Sequence, residues 1–155
     1  MTPVPESVAQ FLAGTRIAVA GVSRNRGQAA NAVYRKLKQS GYYMFPINPN
    51  ASEVEGDRCH PDLMSVRGSV DGLVIATHPS VAADLVRQCA KREVGRVWFH
   101  RSFGQGSVSK EAVTACRELG MECIVGGCPL MFCEPVDLGH RCMRWWLQRK
   151  GRVPA

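Results

Sequence analysis

Residues 16–50 read RIAVAGVSRNRGQAANAVYRKLKQSGYYMFPINPN, a strand pattern followed by a helix pattern and a second strand pattern. The apolar, β-branched run Arg16–Ala20 stops at Gly21 and predicts a buried strand. Apolar residues then recur at i, i+3, i+4 and i+7 across 30–37, which predicts an amphipathic helix. A second strand is predicted at 42–47. Apolar strands that alternate with helices form a parallel sheet, so this stretch decides the fold class.

The same alternation continues along the rest of the chain. Further strands are predicted at 72–76, 97–99 and 121–125, and helices at 5–12, 61–66 (one short turn), 79–90, 108–119 and 138–147. Strands this apolar are typical of a parallel sheet that helices cover on both faces. We therefore predict a three-layer, doubly wound, Rossmann-like α/β fold with a mainly parallel five-stranded sheet. A single domain takes up residues 1–155, with a core at about 10–135 and a basic C-terminal tail or helix at 136–155.

Length and composition bound the function classes. A chain of 155 residues with 45% hydrophobic and 21% charged residues is typical of one globular domain. No apolar run approaches the roughly 20 residues of a membrane helix, and no charged-then-apolar signal opens the chain. We therefore expect a cytoplasmic protein without a membrane partner. The formal net charge of +7 favours an anionic ligand.

The seven cysteines are an odd number and include no C-x-x-C pair, so we expect free thiols in a reducing compartment. Several lie in apolar runs, where a free thiol behaves as a small hydrophobic side chain. Cys123, Cys128 and Cys133 recur every five residues with His140 nearby, which leaves a zinc site open as an alternative. Zinc sites favour more closely spaced ligand pairs, and we expect no metal.

The loop after the first predicted strand favours an anionic ligand. In a doubly wound sheet, ligands bind beyond the carboxyl ends of the strands. Gly21 lets the backbone turn sharply, Ser23 offers a hydroxyl group, and Arg24 and Arg26 add positive charge. The following helix adds free N–H groups and the positive end of its dipole. A diphosphate suits this loop, although the loop is neither a G-x-G-x-x-G nor a P-loop motif.

The end of the second predicted strand argues against NAD. An NAD site usually has Asp or Glu about 20 residues past the glycine loop, where the carboxylate holds the ribose hydroxyls. Here the strand ends in Ile47-Asn48-Pro49-Asn50, and the next acidic residue is Glu53. A carboxylate would repel a phosphorylated ribose, whereas asparagine would not. The pattern leaves NADP or another phosphorylated adenosine open.

Several motifs occur in a fixed order along the chain. A G-x-S follows the first strand, a Gly-Tyr pair precedes the second, and an Asn-Pro pair follows it. The later motifs are Glu53-Val54-Glu55-Gly56, Val70-Asp71-Gly72, Cys128-Pro129 and Glu134-Pro135. As a set, these motifs make roughly residues 10–135 resemble the CoA-binding domain family of small stand-alone proteins. The fold of that family also opens succinyl-CoA synthetase and the ADP-forming acyl-CoA synthetases.

The resemblance implies CoA or an acyl-CoA as the ligand and a role for each matching position. Gly21, Val22, Ser23 and Arg24 would cradle the CoA diphosphate, with Arg26 reaching the phosphates. The other implied contacts are Asn48 and Pro49 at the adenosine, Ala76, Thr77 and Pro79 at the nucleotide or the start of the pantetheine arm, and Cys128 near the thiol end. A further hypothesis is a mixed disulfide between Cys128 and CoA, formed when the Cys128 thiolate attacks the disulfide of oxidised CoA and releases one CoA thiolate.

No motif offers a catalytic constellation. The histidines at 60, 78, 100 and 140 are scattered, and none belongs to a GxSxG or HExxH pattern. We therefore expect a non-catalytic binding or regulatory module and leave enzymatic activity open. An NADP-dependent oxidoreductase-like domain is the main alternative, with Arg24 or Arg58 at the 2′-phosphate.

The C-terminal tail carries two tryptophans among basic residues, and the resemblance transfers no role to it. No acidic residue follows Asp137, whereas the basic residues there are Arg141, Arg144, Arg149, Lys150 and Arg152. Trp145 and Trp146 could stack on the bases of a nucleic acid, which is a less favoured alternative. A homodimer seam or a protein partner at this tail is compatible with CoA binding.

Overall fold

The computed structural model describes residues 3–154 and confirms the predicted Rossmann-like α/β fold. Within those residues the strands are β1 (Arg16–Ala20), β2 (Tyr43–Ile47), β3 (Glu53–Val54), β4 (Asp57–Arg58), β5 (Gly72–Ile75), β6 (Arg96–Phe99) and β7 (Glu122–Val125). Five of them form a parallel sheet in the order β2-β1-β5-β6-β7. The other two form the antiparallel β3–β4 hairpin.

The helices are α1 (Glu6–Leu12), α2 (Ala29–Gln39), α3 (Ala82–Lys91), α4 (Lys110–Glu118) and α5 (Leu138–Arg149), with short 3₁₀ turns at Pro79–Val81 and Pro129–Met131. Buried residues of α1, α2 and α5 share one hydrophobic cluster, and those of α3 and α4 share another. The sheet lies between the two groups of helices as the middle of three layers. None of the helices in residues 3–154 is long and apolar enough to cross a membrane.

Alternate residues of each central strand enter different clusters. In β1, Ile17 and Val19 pack with α1, α2 and α5, whereas Ala18 and Ala20 pack with α3 and α4. Successive side chains of a strand point to opposite faces of the sheet, so a strand covered on both faces must be apolar throughout. This requirement explains the uninterrupted apolar runs in the sequence.

The amino ends of β1 and β5 are joined by Asp71, which belongs to the Val70-Asp71-Gly72 motif. Its Oδ2 accepts hydrogen bonds from the backbone N–H groups of Thr15 (2.8 Å) and Arg16 (2.9 Å). These bonds hold the pKa of the carboxyl group below its ordinary value. Asp71 therefore aligns the two strands at the edge of the sheet opposite to the predicted ligand site.

Two local features differ from the sequence prediction. The short helix predicted at 61–66 is wrong, because these residues form bends and turns. Leu63 is fully buried there, and its N–H donates to Gln88 Oε1 (2.9 Å), so α3 holds the segment in an irregular conformation. The β3–β4 hairpin was not predicted. Its two-residue turn, Glu55-Gly56, has positive φ at both positions (52° and 77°), the conformation that two-residue hairpin turns favour.

Candidate phosphate-binding site at the carboxyl edge of the sheet

The strand order reverses between β1 and β5, and the backbones of these two strands approach each other closely at their carboxyl ends. Gly21, directly after β1, has φ +104°, and a Cβ atom there would lie 2.2 Å from the carbonyl oxygen of Ala76. Only glycine fits this position without displacing Ala76. The structure thus brings two predicted site residues together at the switch point, where ligands of doubly wound folds bind.

The β1–α2 loop (residues 21–28) is held in place by a buried side chain of α2. The Ser23 N–H donates to Asn31 Oδ1 (3.0 Å), and Asn31 Nδ2 donates to the Ser23 carbonyl (2.7 Å). Asn31 has no exposed surface. Within the loop, the Asn25 N–H donates to Ser23 Oγ (3.1 Å), and the Gly27 N–H donates to Asn25 Oδ1 (3.1 Å). The loop is therefore fixed by the protein itself.

Several backbone N–H groups of this loop and of the first turn of α2 are left for another acceptor. Among the residues that the structure describes, the N–H groups of the exposed residues Arg24, Arg26 and Ala29 have no protein acceptor. Those of Val22 and Ala30 also have none, but both residues are buried. The first N–H groups of a helix lack partners within the helix and carry the positive end of its dipole. A fixed loop with free N–H groups at such an end is suited to bind an anion.

The turn after β2 packs against the same loop through Asn48. Its Nδ2 donates to the Val22 carbonyl (2.9 Å), and its Oδ1 accepts from the Asn50 N–H (2.8 Å). Arg24 Nη2 reaches the Asn50 carbonyl at 3.5 Å, and Pro49 is exposed between the two asparagines. The predicted residues at 48 and 49 thus lie beside the predicted loop, and Asn48 holds the two segments together.

Glu55, in the turn of the β3–β4 hairpin, is a buried carboxylate that contacts Arg26, Asn31 and Arg35. Its side chain is 4% exposed and lies 2.7 Å from Arg35 Nη1 and 3.3 Å from Arg26 Nε. Asn31 Nδ2 also donates to it (2.8 Å). Burial alone would raise the pKa of Glu55, but the hydrogen bonds from Asn31 and Arg35 and the two cationic charges hold that pKa below its ordinary value. Glu55 therefore stays ionised and attaches the hairpin to α2.

A cavity of about 430 Å³ lies between the loop and the hairpin, lined by Arg24, Arg26 and residues 53–56. The Arg26 side chain is 74% exposed although it pairs with Glu55. Both arginines can therefore turn toward a ligand in this cavity. Guanidinium groups beside free N–H groups are the donors that a phosphate group requires.

Replacing Glu55 with glutamine is expected to lower the free energy of unfolding by about 1–3 kcal/mol at pH 7, because Arg35 loses a buried anionic partner. Since the pKa of Glu55 is lowered in the folded state, its stabilisation is present above the unfolded value and is lost as the pH falls through the folded value. The unfolding curves of Glu55→Gln and the parent protein in urea should therefore converge in acid.

Glu122→Gln is the matched control for this change. Glu122 pairs with Arg96 at 2.9 Å, but the two side chains are 50% and 42% exposed, so the loss should stay below about 0.5 kcal/mol. Equal losses in the two variants would show that the hairpin does not depend on the ionised carboxylate.

The residues after β5 lie on the other side of the switch point. The Thr77 carbonyl accepts from Ser107 Oγ (2.7 Å), which ties this segment to the loop after β6. Pro79 begins the 3₁₀ turn before α3, and the Ser80 N–H donates to His78 Nδ1 (3.2 Å). The predicted residues at 76, 77 and 79 thus lie on the same edge of the sheet as the β1–α2 loop.

Two buried polar atoms after β6 are left without partners. Among the described residues, His100 Nε2 and Arg101 Nε are the buried side-chain nitrogen or oxygen atoms with no hydrogen-bond partner. Burial lowers the pKa of His100, which favours the neutral imidazole. Unpaired buried polar atoms are uncommon in native structures, and these follow a strand end at the edge where a long ligand would extend. The sequence indicates a place near the ligand cleft for His100, which follows the fourth predicted strand, but it did not single out Arg101.

Cys128, which follows β7, is a buried thiol. It is 3% exposed, and burial raises its pKa to about 12. The thiolate that a mixed disulfide requires is therefore disfavoured at Cys128.

The arrangement of the other cysteines gives no support to the zinc alternative. Cys133 Sγ donates to Ser40 Oγ (3.5 Å), and the ring of His140 pairs with Asp137 (2.6 Å). In residues 3–154 no three His, Cys, Asp or Glu side chains are grouped to hold a metal ion.

Comparison with known proteins places this geometry in a family. The family model described as CoA binding domain matches residues 15–134. An ADP-forming acetate–CoA ligase of Archaeoglobus fulgidus is 29% identical over 80 residues, which are 50% of this chain and 12% of that ligase. The chain thus spans about an eighth of the length of this relative.

Solved structures show the same fold. A hypothetical protein from Pyrococcus horikoshii superposes with a TM-score of 0.73 at 24% identity, over 83% of this chain and 93% of that chain. The dinucleotide-forming acetyl-coenzyme A synthetase 1 of Ca. Korarchaeum cryptofilum gives 0.63 at 25% identity, over 72% of this chain and 26% of that chain. Since the family model covers the β1–α2 loop, the hairpin and the ends of all five sheet strands, the chain belongs to the CoA-binding domain family.

Proposed function

We propose that this protein binds CoA or an acyl-CoA through the β1–α2 loop. The observation that carries the proposal is this loop, which Asn31 fixes and whose free N–H groups lie beside Arg24 and Arg26 at the switch point of the sheet. Membership of the CoA-binding domain family supports the same ligand. The exposed arginines supply the charge that a diphosphate requires.

Each part of the ligand has its own set of residues in this proposal. Gly21, Val22, Ser23, Arg24 and Arg26 hold the diphosphate. The remaining contacts are Asn48 and Pro49 at the adenosine, Ala76, Thr77 and Pro79 along the pantetheine arm, and Cys128 in the wall near the thiol.

The proposed role is that of a binding or regulatory module. Three of the histidine rings are engaged or buried: His78 with Ser80, His140 with Asp137, and His100 in the interior. The free cysteines support a cytoplasmic location. Besides its small-molecule ligand, the protein has α5 as a surface for a protein partner.

Calorimetric titration of the reduced protein with CoA and, in the same buffer, with NADP tests the proposal. We expect CoA to bind with micromolar affinity and NADP to give no heat. Arg24→Glu should abolish binding, because a carboxylate then faces the diphosphate. Arg67→Glu, an equally exposed arginine near the opposite edge of the sheet, should leave the affinity unchanged. Absence of CoA binding, or equal binding of NADP, would overturn the proposal.

A further inference from the structure

Helix α5 lies beyond the part of the chain that matches the family and presents an uncovered apolar stripe. Leu138, Cys142 and Trp145 are spaced i, i+4 and i+7, so they share one face of the helix. Leu138 is 74% exposed and Trp145 is 55% exposed. Trp146 is also exposed and contacts Phe103, a further exposed aromatic ring, at 6.3 Å between ring centres. Large apolar side chains exposed together mark an interaction surface.

The stripe borders a groove rather than a flat patch. The groove encloses about 800 Å³ between α5 and the segment from Met131 to Val136. Met131 is fully buried at its base, and Val136 is half-buried at its side. A groove of this volume can take several apolar side chains of a partner.

Basic residues outnumber acidic residues among the exposed charges around the groove. Arg141, Arg149 and Lys150 are exposed, and α5 contains no acidic residue. Arg149 lies 4.1 Å from the centre of the Trp145 ring, and Lys150 lies 4.2 Å from that of Trp146. The two cationic groups therefore lie over the faces of the two tryptophan rings.

The two acidic residues nearest to the groove are engaged within the chain. Asp137 caps α5 by accepting from the His140 N–H (3.0 Å) and pairs with the ring of the same residue. Glu134 accepts from the Val136 N–H (3.0 Å). The three exposed cations outnumber these two carboxylates, so the surface around the groove is net basic.

We propose that this groove binds an acidic amphipathic helical segment of a partner protein. Apolar side chains on one face of such a segment would fill the groove, and its carboxylates would meet the basic rim, which is the helix-in-groove mode of recognition. A second copy of this chain would bring a second set of cations to the same rim. A nucleic acid or an anionic membrane would satisfy the charge without filling the concave apolar surface.

Three designed peptides of equal length test the proposal. The first is a helix with leucines at i, i+3, i+4 and i+7 and glutamates elsewhere; the second scrambles that composition, and the third has lysine for glutamate. Trp98 is fully buried whereas Trp145 and Trp146 are exposed, so bound peptide should shift the tryptophan emission to the blue. We expect the first peptide to bind with micromolar affinity and the other two to bind at least about tenfold more weakly.

Variants locate the binding on α5. Trp145→Ala and Arg141→Glu should each weaken binding about tenfold or more by calorimetry, since a buried tryptophan and a complementary charge contribute most at such surfaces. Both side chains are exposed, so the fold should persist, and urea unfolding checks this. Arg117→Glu, an exposed arginine of α4, is the control and should bind as the parent protein does.

Four outcomes would overturn the proposal. They are no binding of the acidic peptide, equal binding of the scrambled peptide, displacement of the peptide by RNA or anionic vesicles that themselves bind more tightly, and self-association that Trp145→Ala abolishes. None of these outcomes depends on CoA, because the groove and the β1–α2 loop share no residue.

Discussion

Gly21→Ala is expected to destabilise the protein by about 2–5 kcal/mol and to remove CoA binding with it. The new methyl group would lie 2.2 Å from the Ala76 carbonyl oxygen, in a backbone conformation with φ +104°. Overpacking of this kind costs about 1–3 kcal/mol, and left-handed backbone about 1–2 kcal/mol more. Urea unfolding measures the first effect. Calorimetric titration with CoA measures the loss of binding. It is done in buffer without urea, at a temperature at which the variant is folded.

Gly41→Ala separates the two causes. Gly41 also has positive φ (+94°), but a Cβ atom there would have no neighbour within 4 Å. The free energy of unfolding of this variant should therefore fall only by the cost of the left-handed backbone, about 1–2 kcal/mol, and CoA should bind normally. Equal losses in the free energy of unfolding would mean that the ends of β1 and β5 can move apart at little cost. Their close contact would then not define the site.

Ser23→Asp is expected to weaken CoA binding more than about a hundredfold while leaving the protein folded. A carboxylate about 4 Å from a phosphate charge costs about 4 kcal/mol at an effective dielectric constant of 20, and each 1.4 kcal/mol is a factor of ten in affinity. The Ser23 side chain bonds only within the loop, to Asn25. The free energy of unfolding should therefore change little.

Ser23→Asn is the matched control, because asparagine has the shape of aspartate without its charge. We expect this variant to bind within about tenfold of the parent protein, since the remaining change is steric. Calorimetric titrations of the pair with CoA measure the effect of charge alone. Equal affinities for the two variants would mean that the diphosphate does not lie at this loop.

The fold was predictable from the sequence because its signals are local. The apolar runs of β1 and β5 and the helical spacing in α2 depend only on neighbouring residues. The β3–β4 hairpin has strands of two residues, which is too short for any periodicity. The helix at 61–66 was predicted wrongly because a local signal is present there but tertiary contacts override it. Leu63 and Val66 have helical spacing, but tertiary contacts bury them in an irregular segment.

The candidate site was predictable in part for a similar reason. Gly21 and Asn48 directly follow strands, and Ser23 lies two residues after Gly21. The sequence alone places such strand ends at one edge of a parallel sheet. Asn31 was missed, and Glu55 was noted only within the Glu53-Val54-Glu55-Gly56 motif, because their roles come from each other and from the hairpin, whose strands have no local signal. A polar residue beside the apolar face of α2 was the one available indication of Asn31.

Asn31 also couples two parts of the molecule that are separate in sequence. Its amide group donates both to the Ser23 carbonyl in the β1–α2 loop and to Glu55 in the hairpin, while Arg26 extends from the loop to the same carboxylate. A ligand that draws Arg26 away from Glu55 removes one partner of the hairpin. By thermodynamic reciprocity, a change that attaches the hairpin more firmly to Arg26 weakens the binding of the ligand by the same free energy.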